Sequence, residues 1–198
     1  ATLGQLQYEP ALDSLLDLAA NANESQVRAL ASCFRSYGKE GIDRVVMRYD
    51  SPSESSNRRA FKELLILIGP DVAPSIISIL KGRSFFENRE NFEILQNVKN
   101  PKVARLMLDI KFLEDEEVAE QVVEAVGRLG SGAVNATIDV LNEVKGKDLN
   151  IRVMESLIRI LGELKDPRAV ETLEPLSQHS SERIRDAVDR ALFQIRGY

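Results

Sequence analysis

The chain has 198 residues, 43% hydrophobic and 29% charged, a composition that excludes a disordered segment and implies a folded core. Its 26 Lys and Arg against 31 Asp and Glu give a net charge of -5, which argues against a nucleic-acid or anionic-membrane partner, because phosphate affinity comes from clustered positive charge. Cys33 is the only cysteine, so an internal disulfide and a thiolate metal cluster are excluded; a reducing, cytoplasmic setting is the expectation, although a cysteine-poor secreted protein has the same count.

Residues 9–20, around "PALDSLLDLA", read as the second helix of a pair whose first helix is missing. Residues 24–49 then form the first full pair. "VRALASCFRSYGKEGIDRVVMRY" is an apolar-periodic helix, a Gly corner and a second apolar-periodic helix. Cys33 falls among Ala and Phe on the first of these and is expected to be a buried structural thiol. The Ser-rich stretch "DSPSESSNRR", Asp50 to Arg59, is expected to be a solvated turn that caps the next helix.

Residues 55–81 hold the second pair, "RRAFKELLILIGPDVAPSIISIL" from Arg58, which contains the longest strongly apolar run, Leu64 to Ile68. Five residues are far too few to cross a bilayer, so no membrane insertion is expected. The third pair, residues 85–113, opens with "GRSFFENRENF". Phe92 shares a helical stripe with Leu95 and Val98 and is expected in the core. Phe85 and Phe86 precede that helix, where one of them suits a hydrophobic staple; the pair is expected to fill a thicker joint between stacked repeats, the alternative being an aromatic anchor for a partner.

Residues 115–145 form the fourth pair. Its acidic opening, "EDEEVAE" from Glu114 to Glu120, complements the positive end of a helix. The fifth pair, residues 150–178, contains "LGELKDPRAVETLEPL", with Asp166 as an N-cap and Pro167 in the first helical turn. His179 follows in a polar loop between a helix end and the next start. Residues 181–196 read as a first helix with no second, its stripe carrying Ala191, Leu192 and Ile195.

The pairs recur in register. "VMESLIRILGELKDPRAVETLEPL" from Val153 aligns with "IRDAVDRALFQI" from Ile184, 31 positions on, and with "VAEQVVEAVGRL" from Val118, 35 positions back. The extra length falls in the loop "KGKDLN", and Gly127 and Gly162 both stand nine residues after their Val. A helix pair of this size cannot bury its apolar stripe alone, so neighbours stack into one core. The expected fold is therefore all-α, about twelve helices in stacked antiparallel pairs that make a right-handed superhelical solenoid. A single domain is expected over 1–198. The absence of an initial Met suggests a piece of a longer chain.

The pattern from Val153 to Leu173, a Val, a Gly nine residues on and then "DPRAVETL", resembles HEAT repeats, most closely the bacterial short-repeat subclass named after phycobilisome lyases. The resemblance covers nearly the whole chain and implies a fold more than a function. Relatives of this kind include protein-binding scaffolds, chromophore lyase subunits, a hydroxylase holding iron through His-Glu pairs, and a DNA glycosylase. The lone His179, followed by Ser180, excludes the hydroxylase chemistry. The absence of Trp and the negative charge argue against the glycosylase mode.

The resemblance also implies that the second helices line an inner surface. With Leu12, Ile42, Val103, Val134 and Val170 as equivalent starts, positions one, two and five along are expected to face outward. They give a mixed ladder: Asp13, Ser14 and Asp17; Asp43, Arg44 and Met47; Ala104, Arg105 and Leu108; Asn135, Ala136 and Asp139; Glu171, Thr172 and Pro175. Arg44, Met47, Arg105, Leu108, Asp139 and Glu171, with Phe85 and Phe86, are the candidate partner-binding residues. No nucleophile–base set, phosphate loop or metal-ligand spacing appears, so no catalytic residue, metal or cofactor is expected. The leading expectation is a non-catalytic scaffold for a protein partner. A lyase-like subunit handling a chromophore, and a spacer within a larger protein, are the alternatives. The weakly covered final helix is a candidate self-association edge.

Overall fold

The computed structural model describes residues 3–51, 56–80, 85–98, 102–145 and 151–197, without the side chains of 3–9, 85–89 and 102. Every regular element among the described residues is helical. The chain divides into two compact units, residues 1–82 and 83–198.

The first unit comprises α1 (Leu3–Ala20), α2 (Glu24–Ser36), α3 (Gly38–Asp50), α4 (Arg58–Ile68) and α5 (Ala73–Leu80). Asn23 starts α2 with a capping box: its side chain accepts from Gln26 N while the Gln26 side chain accepts from Asn23 N, so two otherwise orphaned donors are satisfied. The apolar stripes meet in a core of Leu12, Leu16, Phe34, Tyr49, Phe61, Leu64, Leu65, Ile68, Ile76 and Leu80, all essentially inaccessible. Gly69 has φ +92 at the α4–α5 corner, a conformation that side chains with a Cβ resist. The two helices are consequently bent by 113°. Arg35 of α2 donates to the carbonyls of Leu67 and Ile68 at 2.8 and 3.1 Å, satisfying the C-terminal acceptors that α4 leaves open. The Arg58 guanidinium lies 4.9 Å from the centre of the Tyr49 ring, joining α4 to α3.

The second unit comprises α6 (Phe85–Asn97), α7 (Lys102–Met107), α8 (Ile110–Glu114), α9 (Glu116–Gly127), α10 (Val134–Val144), α11 (Ile151–Leu164), α12 (Val170–Leu173) and α13 (Glu182–Arg196). Thirteen helices are thus present among the described residues where about twelve were expected. The additional break separates α7 from α8 at Leu108–Asp109, where Asp109 turns extended and caps α8 through Lys111 N. Asp115 caps α9, accepting from Glu117 N and Val118 N at 3.1 Å, and the acidic run that follows meets the positive end of that helix. Phe92 is buried and meets Phe112 edge-on, with ring centres 6.3 Å apart. Asp166 caps the Pro167–Ala169 turn, and Pro175 interrupts the helix after it, leaving α12 one turn long.

Helices α6, α9, α11 and α13 pack side by side in that order, and they are the first helices of successive pairs. In the first unit α2 and α4 do the same. Burial of Val27, Val118, Val153 and Ile184, and of Ala31, Val122, Leu157 and Val188 four residues on, shows the repeats in one register.

Candidate functional site

The second helices expose a polar ladder, and its rungs are tied to one another. In the first unit Arg44 of α3 donates to Asp13 of α1 at 3.2 Å and Arg48 donates to Asp17 at 2.7 Å. Asp43 of α3 accepts from the Ser75 hydroxyl of α5 at 2.6 Å and also from Lys39. Partial burial pushes the Asp43 carboxyl up, but the hydrogen bonds from Lys39 and Ser75 and the Lys39 charge outweigh it, so its pKa falls below the usual value. Each link between helices joins residues 31 or 32 positions apart, one repeat length. Ion pairs this exposed contribute about 0–1 kcal/mol each. Their larger effect is to hold long side chains in place.

Met47 stands among these pairs with 69% of its surface exposed, between Arg44 and Arg48 on the same turn of α3. It is an apolar, polarisable group on a helix whose charged neighbours are engaged. Exposed methionine adapts to varied partner surfaces.

In the second unit one nitrogen of Arg105 donates to both carboxylate oxygens of Glu143, at 3.0 Å each. Asp139 is exposed one turn before Glu143 on α10, and Glu171 is exposed on α12. Arg168 gathers the next corner: it reaches Ser131 O at 2.7 Å, Asn135 Oδ1 at 3.2 Å and both Asp166 oxygens at 2.9 and 2.7 Å. The Arg168 side-chain and backbone hydrogen bonds bring the Asp166 carboxyl down to about 2.

Leu108 corrects the expected ladder. It is fully buried, as is Ala104, and the exposed residues of α7 among the described side chains are Arg105 and Leu106, the latter 40% exposed. The start was set one residue early: from Ala104, positions one, two and five give Arg105, Leu106 and Asp109, none of them buried. The helix ends at Met107, so Leu108 turns inward as the chain enters the α8 cap. Phe85 and Phe86 lie in the first turn of α6 rather than before it; their side chains fall outside the described residues. Cys33 is a second correction. It is exposed, because the stripe of α2 turns inward through Val27, Leu30, Ala31 and Phe34 and leaves residue 33 on its flank. His179 sits in its loop with Nδ1 accepting from Ser181 N at 3.1 Å.

A second set of links, not anticipated from the sequence, runs along the first helices. Arg152 pairs with Glu116 at 3.4 Å, Arg159 with Glu120, and Arg183 with Glu155 at 2.6 Å. Hydrogen bonds from Arg159 lower the Glu120 pKa against partial burial, with the Arg159 charge adding to them. The signal was present: Arg precedes the aligned apolar residue on α11 and α13, and acids stand two residues after it on α9 and α11. Exposed Leu18 (62%) and Phe193 (59%) were also missed.

No family model and no curated protein sequence matches the chain. Solved structures are similar to it at low identity. Human deoxyhypusine hydroxylase in complex with glycerol is 17% identical over 99% of this chain and 77% of its own, with a TM-score of 0.50. The CpcE–CpcF complex of phycocyanin lyase from Nostoc sp. PCC7120 is 19% identical over 78% of this chain and 64% of its own, with a TM-score of 0.43. A designed armadillo repeat protein in complex with the peptide (KR)4 is 17% identical over 98% and 95%, with a TM-score of 0.42. The likeness is one of fold: the chain is an all-α helical-repeat protein of the HEAT/armadillo-like kind.

Proposed function

We propose that the protein is a non-catalytic scaffold that binds a protein partner through the outward side of its second helices. Met47 acts as the apolar anchor in the first unit, and Arg105, Asp139 and Glu171 form a polar contact set in the second. The observation that carries this reading is the 69% exposure of Met47 within a frame of cross-repeat ion pairs. An apolar group held ready among already ordered charges binds with a smaller ordering cost than one on a loose surface.

The experiment is affinity capture from source-cell lysate with the wild-type chain beside Met47→Glu and Arg105→Glu, identified by mass spectrometry. A partner retained by the wild type and lost by Met47→Glu supports the reading; one retained equally by all three removes the ladder from the interface. The finer placement in the lyase-like subclass rests on the Val153–Leu173 pattern. Visible absorbance after incubation with a linear tetrapyrrole tests it: a bound, shifted spectrum would replace the scaffold reading with chromophore handling.

A further inference from the structure

One register runs through the first helices of the second unit, so the grooves between them compare position by position. Buried Asn91, Phe92, Ile94 and Leu95 of α6 stand 31 positions before Val122, Val123, Ala125 and Val126 of α9, and Val153 of α11 stands 31 before Ile184 of α13. In the α11–α13 groove Glu155, Arg159 and Glu163 meet Ala187, Arg190 and Gln194 around a hollow of about 110 Å³. Its two arginines balance its two carboxylates, and Gln194 Nε2 donates across it to Glu163 Oε1 at 3.2 Å. Gly162 lies close on Ala191 in the same groove.

The α6–α9 groove holds the matching positions with other chemistry. Glu93 and Glu124 stand where Arg159 and Arg190 stand, and Gln96 stands where Gly162 does. The hollow is larger, about 270 Å³, and Gln121 and Asn97 line it with these residues. Asn97 and Arg128 take the places of Glu163 and Gln194, and each donates along its own helix rather than across the groove: Asn97 Nδ2 to Glu93 O at 2.7 Å, and Arg128 to Glu124. The Asn97 Oδ1 is thereby the amide atom left to accept. Two carboxylates and one guanidinium leave the described lining with one net negative charge and a surplus of acceptors. Such a site favours a cation with many donors, and a guanidinium presents five in a planar fork. The next joint shows the same pairing, since Arg159 of α11 meets both carboxylate oxygens of Glu120 on α9.

We propose that the α6–α9 groove binds a guanidinium group, with Glu93 and Glu124 holding its charge and Gln96, Asn97 and Gln121 accepting from its outer N–H groups. The cation that the sister groove carries in its own sequence is supplied here by a ligand, a small guanidine or the arginine side chain of another protein. The hollow is open to solvent, so the charge pairing is screened and added salt weakens binding. The site lies on the first helices and is separate from the Met47 face.

The test is a titration of the isotope-labelled 198-residue chain with N-acetylargininamide, followed through the side-chain amide signals of Gln96, Asn97 and Gln121. N-acetylcitrullinamide serves as the uncharged isostere. The arginine probe is expected to shift those signals saturably, with a dissociation constant of about 1 mM for so small a ligand, and the citrulline probe to leave them in place. Glu93→Gln combined with Glu124→Gln keeps the shape and removes both charges, and is expected to weaken binding about tenfold or more. Glu93→Arg restores the arginine of the sister groove and is expected to abolish binding, whereas Glu163→Gln in that groove leaves it unchanged. Helicity of every variant is followed, which separates loss of binding from loss of fold. No shift with the arginine probe, an equal response to both probes, or an unchanged affinity in the double glutamine variant overturns the proposal. Agmatine and an acetylated Gly-Arg-Gly amide then distinguish the two sources. Tighter binding of agmatine assigns the site to a small guanidine, and tighter binding of the tripeptide to an arginine of a partner chain.

Discussion

Gly162 of α11 packs so closely on Ala191 of α13 that a Cβ at residue 162 would stand 3.0 Å from the Ala191 Cα and 3.1 Å from its Cβ. The glycine that marks the repeat in sequence is therefore the point where two first helices approach. Gly127 occupies the same place in the preceding repeat, but a Cβ there would meet only the Glu163 Cβ at 3.4 Å, an ordinary contact.

The two equivalent glycines are expected to respond to alanine in opposite directions. In Gly162→Ala the gain from helix propensity, about 0.5–1 kcal/mol, is smaller than the cost of forcing apart two packed helices, about 1–3 kcal/mol. A net loss of up to about 2.5 kcal/mol is expected. Gly127→Ala meets no such obstacle and is expected to be neutral or to stabilise by up to about 0.5 kcal/mol. Urea midpoints for the two variants against wild type check this; equal effects would place the close approach elsewhere.

Met47 and Leu108 were expected to be equivalent exposed residues and are opposites. Leu108→Ala empties a fully buried site and is expected to destabilise by about 2–5 kcal/mol. Met47→Ala removes an exposed side chain, and its effect on stability is expected to stay within about 0.5 kcal/mol. Chemical denaturation of both variants gives the comparison directly.

The difference between these two residues shows what the sequence carries. Apolar spacing recurring at 31 to 35 positions placed the helices and the repeat corners, because stripe and corner are both local. Phe92 and the Asp166 cap followed from local pattern alone. Register within a six-residue helix did not, because α7 offers too few turns to average an error of one residue: Val103 and Ala104 are both buried, and either can serve as a start. The charged rungs were legible as types but not as pairs, since Arg105 to Glu143 and Arg159 to Glu120 span 38 and 39 positions and depend on how neighbours stack. Leu18 and Phe193 were hidden because apolar spacing marks a stripe without saying whether anything covers it.

Cys33 provides a direct check on the flank of α2. An exposed thiol at residue 33 is expected to react with an aromatic disulfide reagent in the native protein at a rate close to that of the unfolded chain, at low protein concentration. Fewer than one thiol modified per chain without denaturant would return residue 33 to the core.

The Asp166–Arg168 corner makes a prediction in pH. The carboxyl is held at about 2 against an ordinary value of 3.8, by the Arg168 side-chain hydrogen bond first and its backbone N–H second. A depressed folded-state pKa adds stability that is fully present above the unfolded value and is lost as pH falls through the folded one. The corner is therefore expected to loosen between about pH 4 and pH 2, seen as loss of protection at the Arg168 amide, which donates to Asp166 Oδ1 at 3.0 Å. Arg168→Met removes the larger cause while leaving the backbone donor. The Asp166 carboxyl resonance is then expected to titrate closer to 3.8 than to 2, with a smaller dependence on added salt. If the variant still titrates near 2, the cap rather than the guanidinium holds the charge. Contacts from Arg168 to Ser131 and Asn135 would then tie the corner to the preceding repeat without setting its acid response.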